Sequence, residues 1–369
     1  MPDMRFAPPP SLRIGDGSGG LNQISVRSYN ERLVMSLLLQ HNGMSRIEMG
    51  RISGLSAQTI SVIVRGLERD GMISRGEAQR GRVGPPTIPM CLNPEGAFSV
   101  GADVGQHSID VVLIDFVGSV RYRATTQLVA TSVSAVSTVL DQMIPKALSE
   151  LTAVQSKRLA GIGLTLPDDF DQWEGHDTAP DFETQLQQLT GQEVFIQNQV
   201  TAAAGAVSMF EQPQLRDDYL FCLIGPKIAN RLILDHRVYV GAAPGSQASA
   251  AGIDGLCAAL PAQAATLWQR DSDWPSNGEV LETWISLCGE TLAQTLIALR
   301  QFANVNNMII ASHTPETIGR RICAVTQHHL DIASGPETLR AQLSGLGTWV
   351  SAIGSARLPF HSRFMVQGE

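Results

Sequence analysis

Residues Ser45 to Arg69 run SRIEMGRISGLSAQTISVIVRGLER. Two helix starts are written into this stretch. Ser45 and Glu48 form a Ser-x-x-Glu capping box, which satisfies the orphan amides that open a short helix. Gly54-Leu55 supplies a tight turn, and Ser56 can cap a second helix. Ile60, Ile63, Val64 and Leu67 then recur at i, i+3, i+4 and i+7, so they share one buried face. The opposite face presents Gln58, Thr59, Val62 and Arg65, flanked by Ala57 and Ser61. Small polar groups with one arginine suit base edges and thymine methyls in a major groove.

A helix pair of this kind can also be an ordinary αα-hairpin. The flanking sequence argues for a DNA-reading module. Upstream, Leu33, Val34, Leu37 and Leu38 mark a further helix that can close a three-helix core. Downstream, Asp70-Gly71-Met72-Ile73 ends the second helix of the pair and starts a strand. Arg75 to Arg82 carries three arginines among Gly, Glu, Ala and Gln, as a flexible wing would, and Gly84-Pro85-Pro86 stiffens its exit. The expected unit is a winged helix-turn-helix over 28–90. Gln58, Thr59, Ser61 and Arg65 are the candidate base-reading residues of this unit, and Ser56, the cap, is a further candidate DNA contact. Arg46, Arg51, Arg80 and Arg82 are candidates for phosphate or the minor groove.

The formal net charge of −8 runs against a nucleic-acid partner until it is divided along the chain. From Arg27 to Met90 nine arginines oppose five acidic residues, whereas residues 91–369 carry −12. A basic head on an acidic body confines phosphate attraction to the head. Residues 1–27 read as a disordered tail, rich in Pro, Gly and Ser and without the apolar core of a signal peptide. No apolar run approaches the roughly 20 residues of a membrane span. Cys91, Cys222, Cys257, Cys288 and Cys323 are odd in number and scattered, which fits reduced cytosolic thiols and gives no disulfide or metal framework.

The rest of the chain alternates strands with helices. Apolar stretches at 97–105 and 109–115 and a third strand beginning near Ser119 make a meander. An amphipathic helix over Ser134–Leu151 and a buried strand over Leu159–Pro167 follow. Next come a helix near Phe182–Leu189, a strand at Val194–Asn198 and a small-residue helix at Thr201–Phe210. Tyr219–Gly225 and Arg231–Leu234 read as a second hairpin, Gly241–Gly255 as a Gly/Ala-rich loop, and Thr266–Arg300 as helix. Met308–Ile310 is a strand, and helices finish the chain. The expectation is an α/β body in two lobes, over 91–212 and 213–340, with a C-terminal helix in 341–369 returning to the first.

The order of these motifs resembles the ROK family (repressors, open reading frames, kinases) from about Ser28 to the C-terminus. The resemblance is carried by Arg80-Gly81-Arg82-Val83-Gly84-Pro85-Pro86, Leu92-Asn93-Pro94 and Gly101-Ala102-Asp103-Val104-Gly105, similar to the wing-to-body junction of the regulator branch. Ala352-Ile353-Gly354-Ser355-Ala356 also resembles the family's Gly-Ala-Ala helix. It implies a sugar-kinase-like body of the actin/hexokinase (ribonuclease H-like) ATPase type, and a homodimer or dimer of dimers.

Against the kinases of that family, this chain is depleted. Their Asp-x-Gly-x-Thr phosphate loop reads Asp103-Val104-Gly105-Gln106-His107 here, and their second phosphate loop aligns with Gly225-Pro226-Lys227-Ile228-Ala229. Lys227 could attract an anion or be a solvated loop lysine. The catalytic Asp of the family's Asn-Asp pair is replaced in Asn198-Gln199, and an amide cannot serve as the base. The sugar-contacting Gly-Glu-x-Gly-His segment aligns with Ala248-Ser249-Ala250-Ala251-Gly252, and only Cys257 stands where the zinc cluster would follow. The expectation is a cytoplasmic regulator with no enzymatic activity, no cofactor and no metal, probing a palindromic DNA operator. Asp103, Asn198, Gln199 and Ser249 are the candidate contacts to a sugar-like effector. The competing reading is a ligand-independent regulator whose body serves dimerisation or a protein partner; a sugar kinase is the remote one.

Overall fold

The computed structural model describes residues 23–41, 43–77, 88–128, 130–167, 169–175, 182–211, 218–235, 237–239, 246–247, 249–269, 274, 278–335 and 338–366. Arg80, Arg82 and the Gly84-Pro85-Pro86 exit fall outside them, as does most of the expected wing loop.

The head is built as its sequence periodicity requires. α1 (Gln23–His41) begins inside the stretch read as a tail, and α2 (Arg46–Ser53) and α3 (Ala57–Arg69) complete a three-helix unit. The capping box forms: Ser45 N–H donates to Glu48 Oε2 at 2.8 Å, and Glu48 N–H donates to Ser45 Oγ at 3.2 Å. Gly54 ends α2 at φ 71°, a left-handed conformation that a Cβ disfavours. Ser56 caps α3, accepting from Thr59 N–H at 3.1 Å. Ile60, Ile63, Val64 and Leu67 are all buried. β1 (Ile73–Arg75) pairs antiparallel with β2 (Met90–Leu92), and Met44 bridges to Met90 on the other side.

The first lobe runs β3 (Phe98–Val104), β4 (Ser108–Asp115), β5 (Val120–Gln127), α4 (Val133–Ser149), α5 (Ala153–Ser156), β6 (Leu159–Leu166), α6 (Phe182–Thr190), β7 (Val194–Asn198) and α7 (Gln199–Phe210). The second runs β8 (Tyr219–Ile224), β9 (Ile228–Leu234), β10 (Arg237–Tyr239), β11 (Ser246–Gln247), α8 (Ile253–Ala259), α9 (Ala264–Leu267), α10 (Glu279–Arg300), β12 (Asn307–Ser312), α11 (Glu316–Ser334) and β13 (Arg340–Leu343). α12 (Val350–Phe364) follows. The sheets are ordered β5-β4-β3-β6-β7 and β10-β9-β8-β12-β13, so each is an antiparallel meander continued by two parallel strands. This repeat is the two-lobed α/β architecture expected of an actin/hexokinase-like body.

Three readings need correction. The helix expected over 266–300 is two helices: α9 ends at Leu267, and α10 starts at Glu279 after Gly278 in an extended conformation. The Gly/Ala-rich loop holds the short β11 and the start of α8. β13 lies among the elements read only as helices; Arg340-Ala-Gln-Leu has two apolar residues and occupies a sheet edge, so its pattern is weak.

α12 lies flat on the first sheet because glycines clear its path. Gly101 and Gly163 are register partners on β3 and β6, and a Cβ on either would meet the backbone of Ala356 or Ser355. Gly354 in turn lets α12 touch the backbone of α7 at Ala202. The far end of α12 joins the head: Phe360, Phe364 and Met365 share one hydrophobic core with Val34, Leu38, Ile63 and Phe116. Phe116 meets Phe360 and Phe364 edge-on, with ring centroids at 5.3 and 5.0 Å. Each buried phenyl contributes about 2–3 kcal/mol, so head and first lobe are fastened by apolar contact. Among the described residues no helix is long and apolar enough to cross a membrane.

Candidate nucleic-acid interface and cleft

The outward face of α3 is open. Gln58 and Arg65 are exposed, Val62 is 58% exposed between them, and Thr59 and Ser61 are half-buried. Arg46 and Arg51 are exposed on α2. Ser56 and Thr59 hydroxyls lie 2.8 Å apart, and Ser61 donates to the carbonyl of Ala57 at 2.8 Å. These three hydroxyls therefore have local partners, yet each retains lone pairs that can accept from a base. The arginines of the head divide into two groups. Arg69 and Arg75 pair with Asp70 and Glu68 at 3.3 and 2.8 Å, whereas Arg46 and Arg65 form no ion pair among the described residues. Sequence reasoning missed Ile47, which is 84% exposed beside Arg46. α2 buries only Met49, two residues on, so Ile47 faces away from the core.

The cleft lies between the lobes, at the C-terminal ends of β3 and β6 and the β8–β9 turn. It encloses a cavity of about 130 Å³ lined by Asp103, Gln106, His107, Gln199, Lys227 and Trp268, among others. Asp103 is 1% exposed, and its carboxylate accepts from Thr165 Oγ1 at 2.7 Å. Gln199 Nε2 donates to both oxygens of Asp103 at 2.9 Å. Asn198 sits next to it but is otherwise engaged. Its Oδ1 caps α7 by accepting from the N–H groups of Val200 and Thr201, and also accepts from the Arg231 guanidinium at 2.9 Å. Asp103, Asn198 and Gln199 are thus brought together. Ser249 begins a short 3-10 turn, and its side chain lies outside the described residues.

Gln106 and His107 each make a tertiary contact. Gln106 Nε2 donates to Asp169 Oδ2 at 2.6 Å within the first lobe. His107 crosses to the second, stacking on Trp268 with centroids 4.3 Å apart at 22°, its Nε2 3.9 Å from Asp254. The other loop is a tight hairpin turn in which Gly225 N–H donates to Lys227 O at 3.2 Å, and Lys227 is exposed. Gln106, His107 and Lys227 therefore stand in the cavity wall, and Gln199 there is an amide with no carboxylate to accept a proton. His107, Trp268 and Asp254 form a cross-lobe contact whose aromatic half sequence reasoning did not single out.

No group of three or more His, Cys, Asp or Glu is placed to hold a metal among the described residues. Burial pushes the Cys222 thiol up to about 12 and raises those of Cys288, Cys257, Cys323 and Cys91. Thiols so raised are poor nucleophiles at neutral pH.

No family model matches the chain. It is 26% identical over 365 residues to the protein y4fQ of Sinorhizobium fredii, spanning 91% of this chain and 92% of that one. To the xylose repressor of Bacillus subtilis it is 24% identical over 230 residues, 60% of this chain, and the match spans 59% of the repressor's length. Among solved structures it is similar to a ROK family transcriptional regulator, a homologue of the E. coli MLC protein, with a TM-score of 0.64, 17% identity, 92% of this chain and 97% of that one covered. A ROK family glucokinase from Streptomyces griseus, in complex with glucose and AMPPNP, matches 71% of this chain and 99% of its own, with a TM-score of 0.51 and 15% identity. The kinase match spans a smaller share of this chain than the regulator match.

Proposed function

We propose that this chain, a ROK family transcriptional regulator by its relatives and its fold, is a sequence-specific DNA-binding repressor of genes for sugar or related carbon metabolism. The observation that carries this reading is the open face of α3, with Gln58, Val62 and Arg65 exposed on a head whose core is intact. Gln58, Thr59, Ser61 and Arg65, with Ser56 at the helix start, contact bases; Arg46, Arg51, Arg80 and Arg82 contact phosphate or the minor groove. Two heads of a homodimer, or of each dimer in a pair of dimers, meet half-sites of a palindromic operator about 34–36 Å apart.

The body is a non-catalytic effector and dimerisation unit, and the protein works in the cytoplasm. Gln199 in place of a base supports the loss of phosphoryl transfer. Asp103, Asn198, Gln199 and Ser249 meet a polyhydroxyl effector, and its binding shifts the population between dimer arrangements with different half-site spacing. The closed contacts of Asp103 with Gln199 and of His107 with Trp268 favour a second reading, in which the body binds no ligand. Selection of double-stranded fragments from a random pool tests the DNA reading, and the expected product is an inverted repeat. Thermal-shift screening separates the two readings of the body. An effector at 100 times its Kd adds about 2.7 kcal/mol, while a flat response across sugars, sugar phosphates and sugar acids supports the ligand-free form.

A further inference from the structure

One helix joins the cleft to the head. α7 spans 12 residues, a rod of about 18 Å. Its cleft end is held by both lobes. Gln199, its first residue, is bound to Asp103 of β3, and the capping Asn198 accepts from Arg231 of β9 in the second lobe. Its other end lies in the head's core: Met209 is buried in the same cluster as Val34, Leu38 and Phe360, with Phe210 packed against it. Glu211, just past the helix, accepts from Ser344 Oγ at 2.8 Å and Leu346 N–H at 2.9 Å, both from the second lobe.

Between these ends α7 has no slack. Gly354 of α12 touches the backbone of Ala202, and the guanidinium of Arg357 crosses α7 where Gly205 has no side chain. Close-packed surfaces of this kind move as one body because a shift at one contact cannot be absorbed at the next. α12 reaches the head as well, where Val366 N–H donates to Ser36 Oγ of α1 at 3.1 Å.

We propose that the Gln199–Asp103 pair is a switch and α7 the rod that carries its state to the DNA-binding head. A ligand hydroxyl that donates to Asp103 displaces the Gln199 amide, frees the first turn of α7, and moves α7 and α12 together against α1. This rests on the regulator reading above and adds which residue senses the ligand and which helix transmits the signal.

The test uses the full chain, with DNA selected from a random pool as the probe, and needs no effector. Gln199→Glu sets a carboxylate against Asp103 with no proton to donate. Amide hydrogen exchange in α1 should rise by about tenfold and affinity for the selected DNA should change by about tenfold, a coupling within the usual range. Exchange in α11, remote from the rod, should stay unchanged, which separates switching from unfolding. Gln199→Ala, which only removes the donor, should give the same pattern more weakly. Asp103→Asn combined with Gln199→Glu restores one donor and one acceptor with roles reversed, and should return both readouts to within about threefold of the parent. An unchanged α1 in Gln199→Glu, or a double variant that fails to recover while remaining folded, overturns the proposal. If the parent chain selects no DNA, the regulator reading falls, and hydrogen exchange still decides the coupling.

Discussion

Arg158 of the first lobe donates to the carbonyl oxygen of Gly71 at 3.3 Å, in the turn that follows α3. The same guanidinium nitrogen reaches the carbonyls of Glu95 and Gly96, each at 3.3 Å, and Asn93 Nδ2 donates to Gly71 O at 2.7 Å. One guanidinium and the Asn93 amide thus fasten the exit of α3 to the body. Gly71 stands at φ 73°, so the turn it anchors has a defined shape.

Arg158→Ala should weaken binding to selected DNA by about 1–2 kcal/mol, the worth of charge-assisted hydrogen bonds that hold the head in place. The loss should be equal across sequences, because no base contact changes. Binding isotherms on matched and mismatched fragments check this, and a changed preference would contradict it.

Arg65→Ala and Arg51→Ala should fail differently. The first should relax the preference at one base pair, at about 1–3 kcal/mol of discrimination. The second should leave the preferred sequence intact and lower the salt slope by about one. Titrations at several salt concentrations separate them, and identical sequence-independent losses from both would remove the division of roles.

Gly163→Ala places a methyl group against the carbonyl of Ser355. Backbone does not yield as a side chain tip would, so α12 must lift from the sheet, at about 3 kcal/mol. Since the end of α12 packs on the head, urea melts should show lower stability and DNA affinity should fall with it. Gly278→Ala in the second lobe is the control, because nothing lies within 4 Å of a Cβ there and its backbone is extended.

Acid should destabilise the chain through His361. The neighbouring Arg357 charge, together with burial, holds its imidazole down at about 3. The unfolded chain takes up this proton near pH 6.5, and the folded chain resists it until far lower. Stability is therefore intact above about 6.5 and lost as pH falls, by at most about 1.4 kcal/mol per unit for the one proton. In His361→Asn this part of the slope should vanish from urea melts at pH 7 and 5, and an unchanged slope would assign it to other groups.

Much of this was legible in the chain because local chemistry set it. The capping box at Ser45 and Glu48, the turn at Gly54 and the buried face of α3 follow from spacing alone. Asp103 and Gln199 could be picked out as neighbours in one site only through the resemblance to the family's kinases, whose phosphate loop and Asn-Asp pair they align with. That they bind each other is a tertiary fact, with 95 residues between them in the sequence. The same holds for His107 and Trp268, whose contact depends on how the lobes close. Gly101 and Gly163 show the limit well: a glycine in an apolar strand signals a close approach, but not that α12 makes it. β13 was missed because an edge strand needs little apolar sequence.

The shared core of head and body bears on how such a regulator can be re-targeted. Cutting near residue 90 to graft a new head would expose Phe116, Phe360 and Phe364 on the recipient and strip Val34 and Leu38 of their cover on the donor. New specificity must therefore arise by point changes on α3, or by exchange of a head together with the last turn of α12. Evolution by recombination is closed at the place where the sequence looks most modular.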